Sequence, residues 1–307
     1  MDNEKVIDRL INAENFRMNA ECLKDKKLSE HCTFKIGGIA KYIVYPKNRE
    51  IFISIIDYLV INGIKHCVLG NASNILFADE GYDGVIIFTS KFDNIYVDCS
   101  NDILYAECGA SLTLAAVAAQ KNGLAGLEFA YGIPGTMGGA VYMNAGAYDC
   151  EMKDVVLKSE YYDPYESAVK ILEGSRHDFK YRSSFYSGKD MVILNASLKL
   201  KKENKETIKT KMDNLMLCRM EKQPLNYPNA GSTFKRYPGY YTAKLIDEAG
   251  LKGYMAGGAQ VSEKHAGFII NKGGASASDV LKLIDIIKNK IFELYNINIE
   301  CEIKYIR

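Results

Sequence analysis

Tyr131-Gly132-Ile133-Pro134-Gly135-Thr136-Met137-Gly138-Gly139-Ala140-Val141-Tyr142-Met143-Asn144-Ala145-Gly146-Ala147-Tyr148-Asp149 places five glycines around one proline with no regular hydrophobic period. Ordering such a run costs more chain entropy than almost any other composition, so something must offset that cost. Two readings fit these residues alone. Glycines lack a Cβ, so their backbone can approach a ligand closely and turn N–H groups toward phosphate oxygens, which describes a loop around a nucleotide pyrophosphate. A tight, buried crossing between two strands has the same composition.

A second small-residue loop lies upstream. Leu69-Gly70-Asn71-Ala72-Ser73-Asn74-Ile75-Leu76 follows an apolar run, His66 to Leu69, that reads as a strand. Its amide and hydroxyl side chains can donate to a pyrophosphate. Neither loop has the Gly-x-Gly-x-x-Gly fingerprint opening a helix, and neither has the Gly-Lys-Ser/Thr of a Walker loop. A nucleotide site here belongs to another architecture.

The frame around these loops is α+β. The sequence predicts an amphipathic helix over 4–15, a strand over 40–45 ended by Pro46, a helix over 48–62 closed by Gly63, and a strand over 85–89. Strands follow near 94–98 and 103–108. Ser111 then caps an Ala-rich helix over 112–122 that Gly123 stops. Strands near 155–161, 168–172 and 191–200 complete a β-rich first part, and Lys201 to Glu206 reads as a polar hinge and domain boundary. A helix over 207–221 ends before Pro224, and Ser276 with Asp279 forms a capping box ahead of a long apolar-faced helix. At the end, Ile297, Ile299, Cys301, Ile303 and Tyr305 alternate with Asn298, Glu300, Glu302 and Lys304, the pattern of a half-buried strand with its carboxylates on the open face.

The chain of 307 residues is long enough for two full cores. Its formal net charge of +1 argues against broad binding of nucleic acid or anionic membrane. No apolar run approaches the roughly 18 residues of a membrane span, and the charged start lacks the core of a signal peptide, so the protein is expected in the cytoplasm. Eight cysteines without a Cys-x-x-Cys pair and four scattered histidines predict reduced, mostly buried thiols and no metal site.

Taken together, Leu-Gly-x-x-Ser-Asn at 69–74 and Gly-Ile-Pro-Gly-Thr-Met-Gly-Gly-Ala at 132–140 resemble the two flavin-pyrophosphate loops of the vanillyl-alcohol-oxidase/PCMH-type FAD fold. More narrowly, Asn229-Ala-Gly-Ser-Thr-Phe-Lys-Arg236 and Gly257-Gly-Ala-Gln-Val-Ser-Glu-Lys-His-Ala-Gly-Phe-Ile-Ile-Asn271 resemble the UDP-N-acetylenolpyruvoylglucosamine reductase family, from about Thr33 to the C-terminus. The resemblance implies an N-terminal helical segment over 1–32, a two-lobed FAD-binding domain over 33–200 and a smaller α+β substrate-binding domain over 207–307. It implies FAD held non-covalently by Gly70, Asn71, Ala72, Ser73 and Asn74 of the first loop. In the second loop the implied contacts are Gly132, Ile133, Pro134, Gly135, Thr136, Gly138, Gly139 and Gly146.

NADPH is the implied hydride donor, UDP-N-acetylglucosamine-enolpyruvate the substrate, and a monomer the implied state. Arg182, in Tyr181-Arg-Ser-Ser-Phe185, matches an arginine that binds and polarises the substrate carboxylate. Ser232 matches the proton donor, and Glu302 a carboxylate that helps polarise the enolpyruvyl group. Arg236 and His265 match positions near the substrate. Taken singly, such residues are ordinarily a stacking cation, a turn former, a solvated carboxylate and a hydrogen-bonded histidine; the motifs agree as a set. Lys244 reads as a helix-surface cation.

The chain also departs from the family pattern. Ala72 replaces a common glycine, which is harmless unless that position needs a positive φ. Tyr237 stands before Pro238 where relatives run Lys-Arg-Pro, and the tyrosine-bearing insertion of one family branch has no counterpart, which matches the shorter second type. Two alternatives accompany this reading: another flavin oxidoreductase on the same fold, and a non-catalytic nucleotide-binding module.

Overall fold

The computed structural model describes residues 3–307. The chain forms two compact units whose segments interleave: one comprises residues up to Lys24, Tyr42–Asn71 and Gly84–Leu217, the other Asp25–Lys41, Ala72–Asp83 and Cys218–Arg307. Compactness therefore does not follow the linear division at 201–206. Lys201–Lys202 is itself a short strand paired with Leu124–Ala125, and the next helix starts at Lys205, so no bare polar hinge exists there.

In the first unit a five-stranded antiparallel sheet runs in the order Ala168–Glu173, Val156–Asp163, Val192–Lys199, Ile103–Glu107, Ile95–Asp98. The helix Arg49–Ile61 begins where Asn48 Oδ1 accepts from the Ile51 N–H at 3.0 Å, and it buries Phe52, Ile55, Ile56 and Leu59. The strand His66–Leu69 pairs in parallel with the strand Tyr82–Phe88, from His66 opposite Val85 to Leu69 opposite Phe88. The helix Arg49–Ile61 precedes the strand His66–Leu69, as its apolar period predicts. Ser111 caps the helix Leu112–Lys121 through the Leu114 N–H.

Other expectations change as well. The opening helix is two, Asn3–Asn12 and Glu14–Asn19, with the extended Ala13 between them. The glycine segment contains a helix, Met137–Met143. Ala20–Lys27 is a strand, exposed over its second half and too polar to show an apolar alternation. All eight cysteines are free, but only Cys32 and Cys108 are buried.

The second unit has a three-stranded antiparallel sheet, Met255–Ala256, Ala259–Val261 and Ile269–Asn271. The helix Ala277–Tyr295 packs Val280, Leu283, Ile284, Ile287 and Ile291 inward. Its start is over-determined. Ser276 Oγ accepts from the Asp279 N–H at 3.0 Å, and Asp279 Oδ2 accepts from the Ser276 and Gly258 N–H groups at 3.1 Å each. Those backbone donors hold the Asp279 carboxyl below the usual carboxylate range. The final segment is not the expected alternating strand. Regular pairing is limited to Lys304–Ile306, parallel to Ile75–Phe77, with one isolated antiparallel bridge between Cys301 and Phe234.

Within the first unit, Ser159, His177 and Tyr186 form a buried polar chain. Ser159 Oγ lies 2.8 Å from His177 Nε2 and 2.7 Å from Tyr186 Oη, while His177 Nδ1 lies 2.9 Å from the Gly174 carbonyl oxygen. A carbonyl can only accept, so Nδ1 carries a proton, and in the neutral ring Nε2 accepts from Ser159. Burial favours the neutral ring and pushes its pKa below the ordinary 6.5. Above that value folded and unfolded chains both hold a neutral ring. As pH falls below it, the unfolded chain takes the proton first, so folding stability declines with acidification. His177→Gln should flatten that decline between pH 6.5 and 5 in urea titrations; an unchanged slope would assign the acid sensitivity to other groups.

Candidate active site

The second loop is built on a close contact. The Met137 N–H donates to the Ala110 carbonyl at 2.8 Å and the Gly138 N–H to the Cys108 carbonyl at 2.8 Å. A Cβ on Gly138 would stand 2.8 Å from the Cys108 Cβ, so the helix Met137–Met143 can lie this close only with glycine there. Burial pushes the Cys108 thiol up to about 12, which leaves it a packing group rather than a nucleophile.

Gly70 of the first loop is pressed against the second: a Cβ on Gly70 would fall 2.1 Å from Thr136 Oγ1. Asn71 Nδ2 donates to the Pro134 carbonyl at 3.3 Å. The Gly132 N–H donates to Thr113 Oγ1 at 3.1 Å. Thr136 is buried, and its hydroxyl is one of three buried side-chain polar atoms without a protein partner among the described residues. A buried hydroxyl left unpaired costs about 1–3 kcal/mol, and a phosphate oxygen would satisfy it. Neutral donors, glycine backbone and this hydroxyl make a donor set suited to a pyrophosphate. Ile133, Gly135 and Gly146 are half-buried along the same segment, and Gly139 is exposed.

Of the rest of the first loop, Ala72, Ser73 and Asn74 belong to the second unit. Ala72 is buried with φ +46°, so the condition set by the missing family glycine is met: this position does need the left-handed region. Asn74 uses its side chain structurally, with Nδ2 donating to the Glu302 carbonyl at 3.2 Å, while the Asn74 carbonyl accepts from the Lys304 N–H at 2.9 Å.

Ser232 is presented by a tight turn. Asn229 Oδ1 accepts from the Gly231 N–H at 2.9 Å, and Thr33 Oγ1 donates to the Asn229 carbonyl at 2.7 Å. The residues that follow pair with the C-terminal segment: the Glu302 N–H donates to the Thr233 carbonyl at 2.8 Å and the Lys235 N–H to the Glu300 carbonyl at 2.9 Å. Ser232 and Glu302, distant in sequence, thus come together on neighbouring backbone segments of the second unit. Glu302 stands outside the regular strand, on an irregular stretch.

Arg236 is exposed and stacks over Tyr241 at 4.9 Å, and Tyr237 opens a turn through Pro238 and Gly239 closed by the Tyr240 N–H to the Tyr237 carbonyl at 2.9 Å. His265 is half-buried, its Nδ1 accepting from the Gly267 N–H at 3.1 Å, and burial lowers its pKa. Lys244 pairs with Glu248 at 3.6 Å on the exposed face of the helix Thr242–Glu248, as its sequence context predicts.

Arg182 lies in the first unit, at the corner of a tight turn: the Lys180 N–H donates to the Ser183 carbonyl at 3.0 Å and the Ser183 N–H to the Lys180 carbonyl at 3.1 Å. Its φ is +55°, its guanidinium lies over the Tyr181 ring at 5.0 Å, and Nη2 donates to the Gly146 carbonyl at 3.2 Å. Among the described residues no group of three or more His, Cys, Asp or Glu side chains is placed to hold a metal ion. No described helix is long and apolar enough to cross a membrane.

Two close-packed glycine loops with a donor set suited to a pyrophosphate, on this α+β framework with a second α+β unit, fit the class to which the comparisons assign the chain, the FAD-dependent oxidoreductases of the PCMH type. Residues 40–171 match the FAD binding domain profile and residues 223–306 the profile for the C-terminal domain of UDP-N-acetylenolpyruvoylglucosamine reductase. A relative of that name from Caldicellulosiruptor bescii is 49% identical over 93% of this chain and 91% of its own length. Another from Clostridium novyi is 40% identical over 100% of this chain and 97% of its own. The crystal structure of the Thermus caldophilus reductase superposes with a TM-score of 0.78 at 32% identity, covering 94% of this chain and 99% of that one. The chain belongs to the UDP-N-acetylenolpyruvoylglucosamine reductase family.

Three substitutions test these loops. Thr136→Val should leave the apoprotein no less stable, because a buried unpaired hydroxyl is lost, yet weaken FAD binding about tenfold or more. Unchanged affinity in a flavin titration would remove the hydroxyl from the cofactor contacts. Ala72→Gly should be neutral within about 0.5 kcal/mol, relief of the left-handed backbone offsetting lost methyl burial. Ala72→Val should cost about 2 kcal/mol or more in urea denaturation, since a branched side chain resists that φ.

Proposed function

We propose that this chain reduces the enolpyruvyl ether of UDP-N-acetylglucosamine-enolpyruvate to UDP-N-acetylmuramate, with NADPH as hydride donor, in peptidoglycan precursor synthesis. Bound FAD supplies the redox chemistry, carrying two electrons from NADPH to the enolpyruvyl double bond. We assign non-covalent flavin binding to residues 33–200, the sugar nucleotide to residues 207–307, the setting to the cytoplasm and the working state to a monomer.

An isolated C=C accepts hydride poorly; conjugation to a carboxylate helps only if charge developing on that carboxylate is stabilised. Arg182 takes this role, since a guanidinium forks onto two oxygens of a carboxylate. Its left-handed turn and its tether to the Gly146 carbonyl limit where the fork can point. Ser232 donates the proton that completes the lactyl carbon and sets its stereochemistry. A hydroxyl is a weak acid, but the enol-like species is strongly basic, so position counts for more than acidity. Glu302 helps polarise the enolpyruvyl group from the segment paired with Thr233. Arg236 and His265 are assigned to the sugar nucleotide.

The single observation that supports this reading best is the pairing of Thr233 with Glu302, which sets the proton donor and the carboxylate on adjoining segments. The test is anaerobic. Flavin reduced by NADPH should return to the oxidised spectrum on addition of the enolpyruvyl UDP-sugar. Flavin that reduces but stays reduced would keep the fold and point to a different substrate. Ser232→Ala should slow that reoxidation by about 100-fold or more while reduction by NADPH changes less than about threefold. Equal slowing of both halves would remove Ser232 as proton donor.

A further inference from the structure

Arg182 occupies a backbone conformation that an arginine does not adopt unaided. Its φ of +55° carries a penalty of about 1–2 kcal/mol, so the surroundings must hold the turn. They do so through one buried side chain. Asn144, fully buried, ends the helix Met137–Met143 in the left-handed region at φ +42°. Its Nδ2 donates to the Lys180 carbonyl at 3.1 Å and to Glu151 Oε2 at 2.9 Å, and its Oδ1 accepts from the Lys153 N–H at 2.9 Å. Both N–H donors are thus spent, one of them on the carbonyl that closes the Arg182 turn.

That carbonyl also accepts from the Ser183 N–H, so both its lone pairs are used and its position is specified in two directions. Two further bonds tie the same turn to the same helix end. Ser184 Oγ donates to the Tyr142 carbonyl at 2.8 Å, and Arg182 Nη2 reaches the Gly146 carbonyl at 3.2 Å. Glu151 is itself fixed, its N–H donating to Asp154 Oδ2 at 2.8 Å and its other oxygen paired with Lys153. The network is satisfied throughout, and a satisfied buried network rigidifies what it touches.

We infer that Asn144 is the positioning residue for Arg182: by holding the Lys180 carbonyl it fixes the guanidinium for the substrate carboxylate. This rests on the carboxylate role proposed above for Arg182. Asn144 does not touch the substrate and acts only through the turn.

The test compares Asn144→Gly, which keeps the left-handed backbone at no steric cost, with Ser184→Ala, which cuts a second tie to the turn. Both are made in the wild-type and Arg182→Ala holoenzymes. In the wild-type background Asn144→Gly should slow reoxidation of reduced flavin by the enolpyruvyl UDP-sugar by about tenfold or more, with NADPH reduction changed less than about threefold. It should weaken binding of the carboxylate-bearing substrate while leaving UDP-N-acetylglucosamine, which lacks the carboxylate, bound as before. In the Arg182→Ala background it should cost nothing further.

Additive losses, or equal weakening of both UDP-sugars, would overturn the inference and leave Arg182 in place. An Arg182→Ala enzyme of full activity would instead overturn the role of Arg182 and this inference with it. Should Asn144→Gly fail to fold, Ser184→Ala carries the same comparison, with a smaller loss of the same kind expected.

Discussion

The site depends on one contact that tolerates only a hydrogen atom. At Gly138 the helix of the second loop meets the strand-end residue Cys108 with no space for a methyl group. Two backbone hydrogen bonds, from Met137 to Ala110 and from Gly138 to Cys108, hold the helix at that distance. Buried N–H groups must find acceptors, and here the acceptors belong to the preceding segment rather than to the helix itself. The placement of Thr136, of Asn144 and, through Asn144, of the Arg182 turn follows from this contact. The entropy cost of the glycine run is offset by packing that no other composition permits.

The two units solve the positioning problem differently. In the first, a polar network of buried side chains holds a strained arginine turn. In the second, backbone pairing brings Ser232 and Glu302 together, and Asn74 adds a side-chain bond to the Glu302 carbonyl. Backbone pairing fixes register by the chain itself, whereas the Asn144 network depends on one amide having every partner in reach. Backbone pairing is robust to substitution at surrounding side chains, and the Asn144 network is not.

Elements governed by local chemistry were legible in the sequence. The caps at Ser111 and Ser276 and the apolar face of the helix Ala277–Tyr295 appear where their residues call for them, because capping and helical periodicity act over a few positions. Elements set by distant partners were not. The alternation from Ile297 to Tyr305 is real, but regular ladder pairing is confined to Lys304–Ile306, with a single bridge at Cys301, so most of it never becomes strand. The helix Met137–Met143 was hidden because glycines that weaken helix propensity are needed for its packing. The motif residues could be read singly, yet what joins Ser232 to Glu302, or Arg182 to Asn144, is long-range bonding that no spacing encodes. Ala72 is an intermediate case: its unusual identity was visible, its left-handed φ was not.

The interleaved units carry a consequence for how the protein is made. Strand Ile75–Phe77, buried in the folded protein, pairs with Lys304–Ile306, more than two hundred residues later. A growing polypeptide therefore holds an apolar, unpaired edge for most of its synthesis, and the second unit cannot close until its last strand is present. Contacts so far apart in the chain make folding slow, because loop closure must precede the reward of pairing. Neither unit is a continuous stretch that could be cut out and expected to fold. The chain is thus open to aggregation through this edge until its Lys304–Ile306 strand has been made.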